Sequence, residues 1–256
     1  MIDPHLNLFY SYNRDNELIE NNLTRAFIAT LRLLSPSGRD ALLQTLLSGP
    51  LQRLNAAVPS YESCQLALQA HVDRELSRRI PLRILITLAS DRIVMAEEEN
   101  NKDQQLDTYL SIPDGWIYDQ KAGYCFLIEA KVGSNPLNQH QVLSHADKWL
   151  MINAEQLPDH LISLTWIDVI RAIEHLKGNT EEYHLNIQES LVLDELVAFL
   201  SLYGYRIFRG VTWGDLQPSP DFMFSNKLLA KADWHQFLDL NHPPNFRIIH
   251  NARHKR

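Results

Sequence analysis

The chain has 256 residues, a formal net charge of -7 and an apolar fraction of 45%, enough to bury a sizeable core in one large domain or in one domain with an appendage. No apolar run approaches the length of a membrane span, and the acidic balance counts against a protein that coats nucleic acid through Lys and Arg. It leaves a metal-using enzyme open, because such a site needs carboxylates whose charge the ion offsets.

Cys64 and Cys125 are the only cysteines, so neither a disulfide framework nor a cysteine zinc site is expected. The opening residues, MIDPHLNLFYSYNRDNELIE, lack the basic-then-apolar pattern of a secretory signal, which predicts an intracellular, cytoplasmic protein with no membrane partner. Charge is uneven, with acidic EEEN at 97–100 and a basic NARHKR tail. Neither segment locates a binding face.

In chain order, residues 18–34 carry Leu23, Phe27, Leu31 and Leu34 at helical spacing. Pro36 and Gly38 end that stretch, and a second helix is expected over 39–47. Residues 61–79 read as a third helix, stopped before Pro81. LRILITLA, 82–89, is compact, apolar and partly β-branched and predicts a strand. A polar loop is expected over 97–107. IPDGWIYD (112–119) and GYCFLIEAKV (123–132) read as two strands joined by the turn-forming QKAG, a hairpin. Residues 137–152 look helical, 160–166 give a short strand, and 168–176 return to a helical pattern. Residues 189–203 form an amphipathic helix candidate, and YRIFRGVTW (205–213) reads as a strand. From Gln217 onward the sequence has little periodicity. No internal repeat or low-complexity segment is present.

The chemistry concentrates on the hairpin. Glu129 and Lys131 are two apart on one strand and share a face, while Phe126, Ile128, Ala130 and Val132 point to the other and can enter a core. An acid left unpaired in an apolar strand is costly, and a metal ion or the neighbouring lysine would relieve that cost. Asp114, on the preceding arm, can approach Glu129 across the hairpin. Two carboxylates with a backbone carbonyl, that of Ala130, suit Mg²⁺ or Mn²⁺. Such an ion activates water and stabilises charge on a transferring phosphoryl group, and Lys131 could orient that water or stabilise developing charge. A plainer reading stands beside this one: Asp114 organises the turn at PDG, and Glu129 with Lys131 is a same-face ion pair.

In context, IPDGWIYDQKAGYCFLIEAK resembles the PD-(D/E)xK, or restriction-endonuclease-like, nuclease superfamily, through Pro113-Asp114 and Glu129-Ala130-Lys131. That resemblance implies an α/β fold, a mixed sheet flanked by helices in α-β-β-β-α-β order. Residues 1–180 would form this core, with a helical insertion at about 35–80. Residues 181–256 would be a C-terminal extension, packing on the core or forming a small lobe. It also implies metal-dependent hydrolysis of phosphodiester bonds in DNA, with Asp114 and Glu129 holding Mg²⁺ or Mn²⁺. Some branches carry a glutamate in the first helix, where Glu20 falls. Many carry a glutamine in the helix after the lysine strand, where Gln141 is the first match and Gln139 the second. LTWIDVIRAI is similar to a segment seen after this core in some uncharacterised or defence-associated members.

Each supporting residue also has a plain explanation. Glu20, Gln141 and Gln139 could be solvated helix residues. Arg25, His145 and Lys148 are candidates for phosphate contact. Trp116 and Tyr118 could stack bases or pack in the hairpin. His140 and His145 do not align on one helix face, and His250 and His254 lie in a tail of little helical character, which disfavours zinc. The absence of GxxxxGKS/T and GxGxxG excludes the usual phosphate-cradling loops.

Three rival functions remain from the sequence: an inactive nucleic-acid-binding module, a scaffold subunit of a defence or repair assembly, and a hydrolase of small phosphates. A cutter of both DNA strands would call for a homodimer or a protein partner. The sequence names no surface for either.

Overall fold

The computed structural model describes residues 9, 19–69, 74–90, 112–132 and 139–207. The helices are α1 (Ile19–Leu33), α2 (Pro36–Arg53), α3 (Arg74–Arg79), α4 (Gln139–His145), α5 (Trp166–Gly178), α6 (Thr180–Tyr183) and α7 (Ile187–Leu202). The strands are β1 (Gln65–Leu68), β2 (Leu82–Ala89), β3 (Gly115–Asp119), β4 (Tyr124–Ala130) and β5 (Leu161–Thr165). The result is an α/β fold in which helices flank a five-stranded mixed sheet of order β1-β3-β4-β2-β5. β3 pairs antiparallel with β1 and β4, whereas β2 runs parallel to both β4 and β5.

The parallel strands are apolar along their length because both faces of the sheet are covered. On one face Ile84, Ile86, Leu88, Phe126 and Ile128 join Leu23, Phe27 and Leu31 of α1 in the main core. On the other, Leu85, Cys125 and Leu127 meet Trp116, Val142, Ala146 and Trp149. This second layer comes from α4 and the π-helical turn Ala146–Leu150 that continues it, which Met151 ends in the left-handed region at φ 53°.

The hairpin turn falls at QKAG, as its residues suggest. Asp119 Oδ1 accepts the N–H groups of Lys121 and Ala122 at 2.8 and 3.0 Å, and Oδ2 accepts the Ser63 hydroxyl at 2.5 Å. Burial opposes ionisation of Asp119, but the hydrogen bonds from Ser63 and the turn amides outweigh it and hold the carboxyl below its ordinary range. Gly123 closes the turn at φ 76°, where a Cβ would also lie 3.3 Å from Pro81 Cγ, so glycine is needed there.

Two readings from the sequence need correction. Residues 61–79 are not one helix: 65–68 form β1 in register with β3, from Gln65 opposite Tyr118 to Leu68 opposite Gly115, and only 74–79 are helical. Tyr61 explains the pull toward the sheet. It is fully buried, with its ring 5.5 Å from Tyr124 and 6.0 Å from Phe126. Tertiary pairing overrides a helical pattern that is only local. The second helix also begins earlier and ends later than expected. Ser35 caps it by accepting from Gly38 N at 3.1 Å, and Pro36 at the first helical position gives up only an N–H that would have no helical partner.

Leu193, Leu196, Phe199 and Leu200 of α7 belong to the same core as the sheet. Asn186 and Glu189 form its capping box. Glu189 also accepts Ser35 N at 2.9 Å and Ser35 Oγ at 2.6 Å, tying the start of α7 to the start of α2. No described helix is long and apolar enough to cross a membrane. Of the strand expected at 205–213, residues 205–207 are irregular. The remainder, the loop at 97–107, the acidic EEEN, His250 and His254, and the basic tail lie outside the described residues.

Candidate active site

Alternation along β4 sends Tyr124, Phe126, Ile128 and Ala130 into the main core and Cys125 and Leu127 toward α4. Glu129 follows the second set, so it faces α4 as a lone acid beneath an apolar layer, with 1% exposure. The face assignment made from the sequence matches this, with one difference: the Glu129 face is itself covered.

Glu129 is buried with polar company, which burial of a carboxylate demands. Gln141 Nε2 donates to its Oε1 at 2.5 Å. Lys131 Nζ lies 3.2 Å from the same oxygen, and its side chain is 16% exposed, so it marks the side open to solvent. His145, fully buried, places Nδ1 3.0 Å from Oε2. The pair does not meet hydrogen-bond geometry, so the contact is one of proximity. Gln141 and His145 stand one helical turn apart on α4 and so share a face.

Asp114 comes from just before β3. Gly115 pairs with Ile128 at the end of the ladder, so Asp114, just before Gly115, lies at the same end as Glu129, just after Ile128. Its Oδ2 accepts the Ala130 N–H at 2.8 Å, and its carbonyl accepts Gln69 N at 3.2 Å. The backbone of Lys131 is held from two sides, donating to Leu88 O at 2.7 Å and accepting from Trp166 Nε1 at 3.0 Å. The fold therefore brings Asp114, Glu129, Ala130, Lys131 and Gln141 to one end of the parallel strands.

The remaining candidates separate from this group. Glu20 lies in the first turn of α1, but its side chain falls outside the described residues. Gln139 opens α4 at a partly exposed position, and Arg25 is exposed on α1. Lys148 is half-buried in the π turn. Trp116 is fully buried and meets Trp149 edge-on at 6.3 Å, so it is core and not a base-stacking platform. His145 is likewise too buried to contact phosphate.

Sequence reasoning missed two features. One is the buried position of His145 beside Glu129. The other is Thr87, fully buried and in register with Glu129 across β2 and β4. Its Oγ1 has no hydrogen-bond partner among the described residues. The signal for Thr87 was its hydroxyl in the otherwise apolar core of LRILITLA.

The donor set suits a hard divalent cation, which binds through one or two carboxylates plus carbonyl and water oxygens. Asp114, Glu129 and the Ala130 carbonyl are the oxygens that would supply such a set. Among the described residues no group of three His, Cys, Asp or Glu side chains gathers as a metal cluster. Neither cysteine offers a nucleophile: burial pushes the Cys125 thiol up to about 12 and raises Cys64 as well.

Compared with known proteins, the chain matches no family model, no curated protein and no solved structure. The functional reading therefore rests on this geometry and on the motif residues themselves.

Proposed function

We propose that this protein is a divalent-metal-dependent nuclease that hydrolyses phosphodiester bonds in DNA, on a restriction-endonuclease-like core. The observation that carries the reading is Glu129, a buried carboxylate gripped by Lys131 and Gln141, with Asp114 bonded to the N–H of the next residue, Ala130. The chain order supports it too: a leading helix, then β2, β3, β4, α4 and β5 follow the α-β-β-β-α-β order once the segment 35–80 is set aside.

Asp114, Glu129 and the Ala130 carbonyl would hold Mg²⁺ or Mn²⁺, with Glu20 as a further oxygen donor. When bound, the ion lowers the pKa of a water and offsets charge on the phosphoryl group. The chain's own groups do the rest. Lys131, at the solvent side, orients the attacking water and donates to the developing charge on a phosphoryl oxygen. Gln141 fixes Glu129 through Oε1, so the carboxylate is placed before substrate arrives.

A second reading, an inactive nucleic-acid-binding or scaffold subunit, is favoured by one observation. Both Glu129 oxygens already have a nitrogen of the chain itself close by, Gln141 Nε2 and Lys131 Nζ at Oε1 and His145 Nδ1 at Oε2. Incubation of closed circular DNA, linear DNA and RNA with Mg²⁺, Mn²⁺ or EDTA tests the choice. We expect metal-dependent cutting of DNA that EDTA stops, and cutting of the closed circle would identify an endonuclease. Metal binding without cleavage of any polymer would support the second reading against the first.

A further inference from the structure

We infer that His145 is a positioning residue for Glu129, holding the carboxylate in the orientation that binds the metal ion. The inference rests on the metal-dependent reading above. Gln141 and Lys131 both engage Oε1, so they leave rotation of the far oxygen to be fixed by something else. His145 Nδ1 is 3.0 Å from that far oxygen, Oε2, and both residues are essentially inaccessible to solvent. One helix face thus addresses both oxygens of one carboxylate.

The platform that carries His145 is itself anchored. The π turn begins at the next residue, and insertions of this kind recur at functional sites. Arg83 Nη1 donates to Leu150 O at 2.8 Å, at the end of the turn, and Trp149 seats edge-on against Trp116. Val142 and Ala146, the neighbours of His145 on α4 and the π turn, lie in the apolar cluster. Packing alone would be met by an apolar side chain at 145. A ring nitrogen 3.0 Å from the site carboxylate is what an apolar residue cannot supply.

The test is Mn²⁺ binding to the metal-stripped full-length chain, followed by the electron paramagnetic resonance of free Mn²⁺. Wild type is compared with His145→Leu, His145→Asn and Val142→Ala. Leucine fills the space without a polar group, whereas asparagine keeps a donor near the Nδ1 position. Groups that orient metal ligands typically contribute about 10–100-fold in affinity. His145→Leu is expected to bind Mn²⁺ weaker by that factor, His145→Asn to recover most of it, and Val142→Ala to melt earlier with unchanged affinity.

The opposite order, with Leu binding as wild type and Asn weakened, would overturn the inference and leave the nuclease reading intact. Absence of Mn²⁺ binding by wild type would overturn both. Should His145→Leu not fold, His145→Asn against Val142→Ala makes the same distinction. Affinity retained by Asn supports the inference, and affinity lost by Asn in a folded chain overturns it.

Discussion

The backbone N–H of Ala130 donates to Asp114 Oδ2 at 2.8 Å, so the residue that precedes β3 is fastened to the last residue of β4. This bond gives Asp114 a structural duty beside its proposed catalytic one, and the two can be separated. Asparagine can still accept from Ala130 N but carries no charge. Asp114→Asn is expected to melt near wild type while cleavage falls by about 10²-fold or more, the scale seen when charge-stabilising groups are lost. Wild-type cleavage in this variant would reduce Asp114 to a turn residue.

Lys131 reaches Glu129 Oε1 at 3.2 Å from the solvent side. If it acts on the transition state, Lys131→Met lowers kcat by about 10²-fold with little change in KM. Initial rates over a range of DNA concentrations read the two apart. A rise in KM alone would make Lys131 a substrate-binding residue.

The hairpin, β2, β5 and the faces of β4 were legible because strand alternation and turn residues act locally. Asp119 and Gly123 close the turn whatever surrounds it. The segment 61–79 was not legible, because its pairing depends on the outer edge of β3 and on the seat that Tyr124 and Phe126 offer Tyr61. Asp114, Glu129 and Lys131 could be grouped from register alone. His145 reads from the sequence as a candidate for phosphate contact because nothing in LNQHQVLSHADKW tells that it is buried. Thr87 needed the β2–β4 register, which joins residues far apart in sequence.

Thr87 carries a cost that can be measured. A buried hydroxyl without a partner is unfavourable by about 1–3 kcal/mol, and valine has the same shape. Thr87→Val is expected to raise the unfolding free energy in urea by about 1 kcal/mol. A loss of stability instead would show that the hydroxyl is bonded in the folded chain.

Glu189 links the caps of α2 and α7. Burial opposes its ionisation, but the hydrogen bonds from Ser35 and Asn186 prevail and hold its carboxyl below the ordinary range. A carboxyl depressed in the folded state adds stability above its unfolded pKa, and that stability is lost as pH falls through the folded value. Glu189→Gln is expected to lose about 1.5–3 kcal/mol at neutral pH, the scale of hydrogen bonds to a charged group. The gap from wild type should narrow as pH falls below the carboxylate range. Urea melts at neutral and acid pH check this, and a gap that stays constant with pH would contradict it. Gly38 belongs to the same joint: an alanine Cβ there would collide with Glu189 Oε1.

The most direct measurement is cleavage of closed circular DNA with Mg²⁺ or Mn²⁺ by wild type and by Glu129→Gln, which keeps the size of the side chain and the acceptor for Gln141 but removes the charge. The account predicts that wild type cuts, that EDTA stops it, and that Glu129→Gln is folded and inert with either metal. Cutting by Glu129→Gln at the wild-type rate would contradict the account.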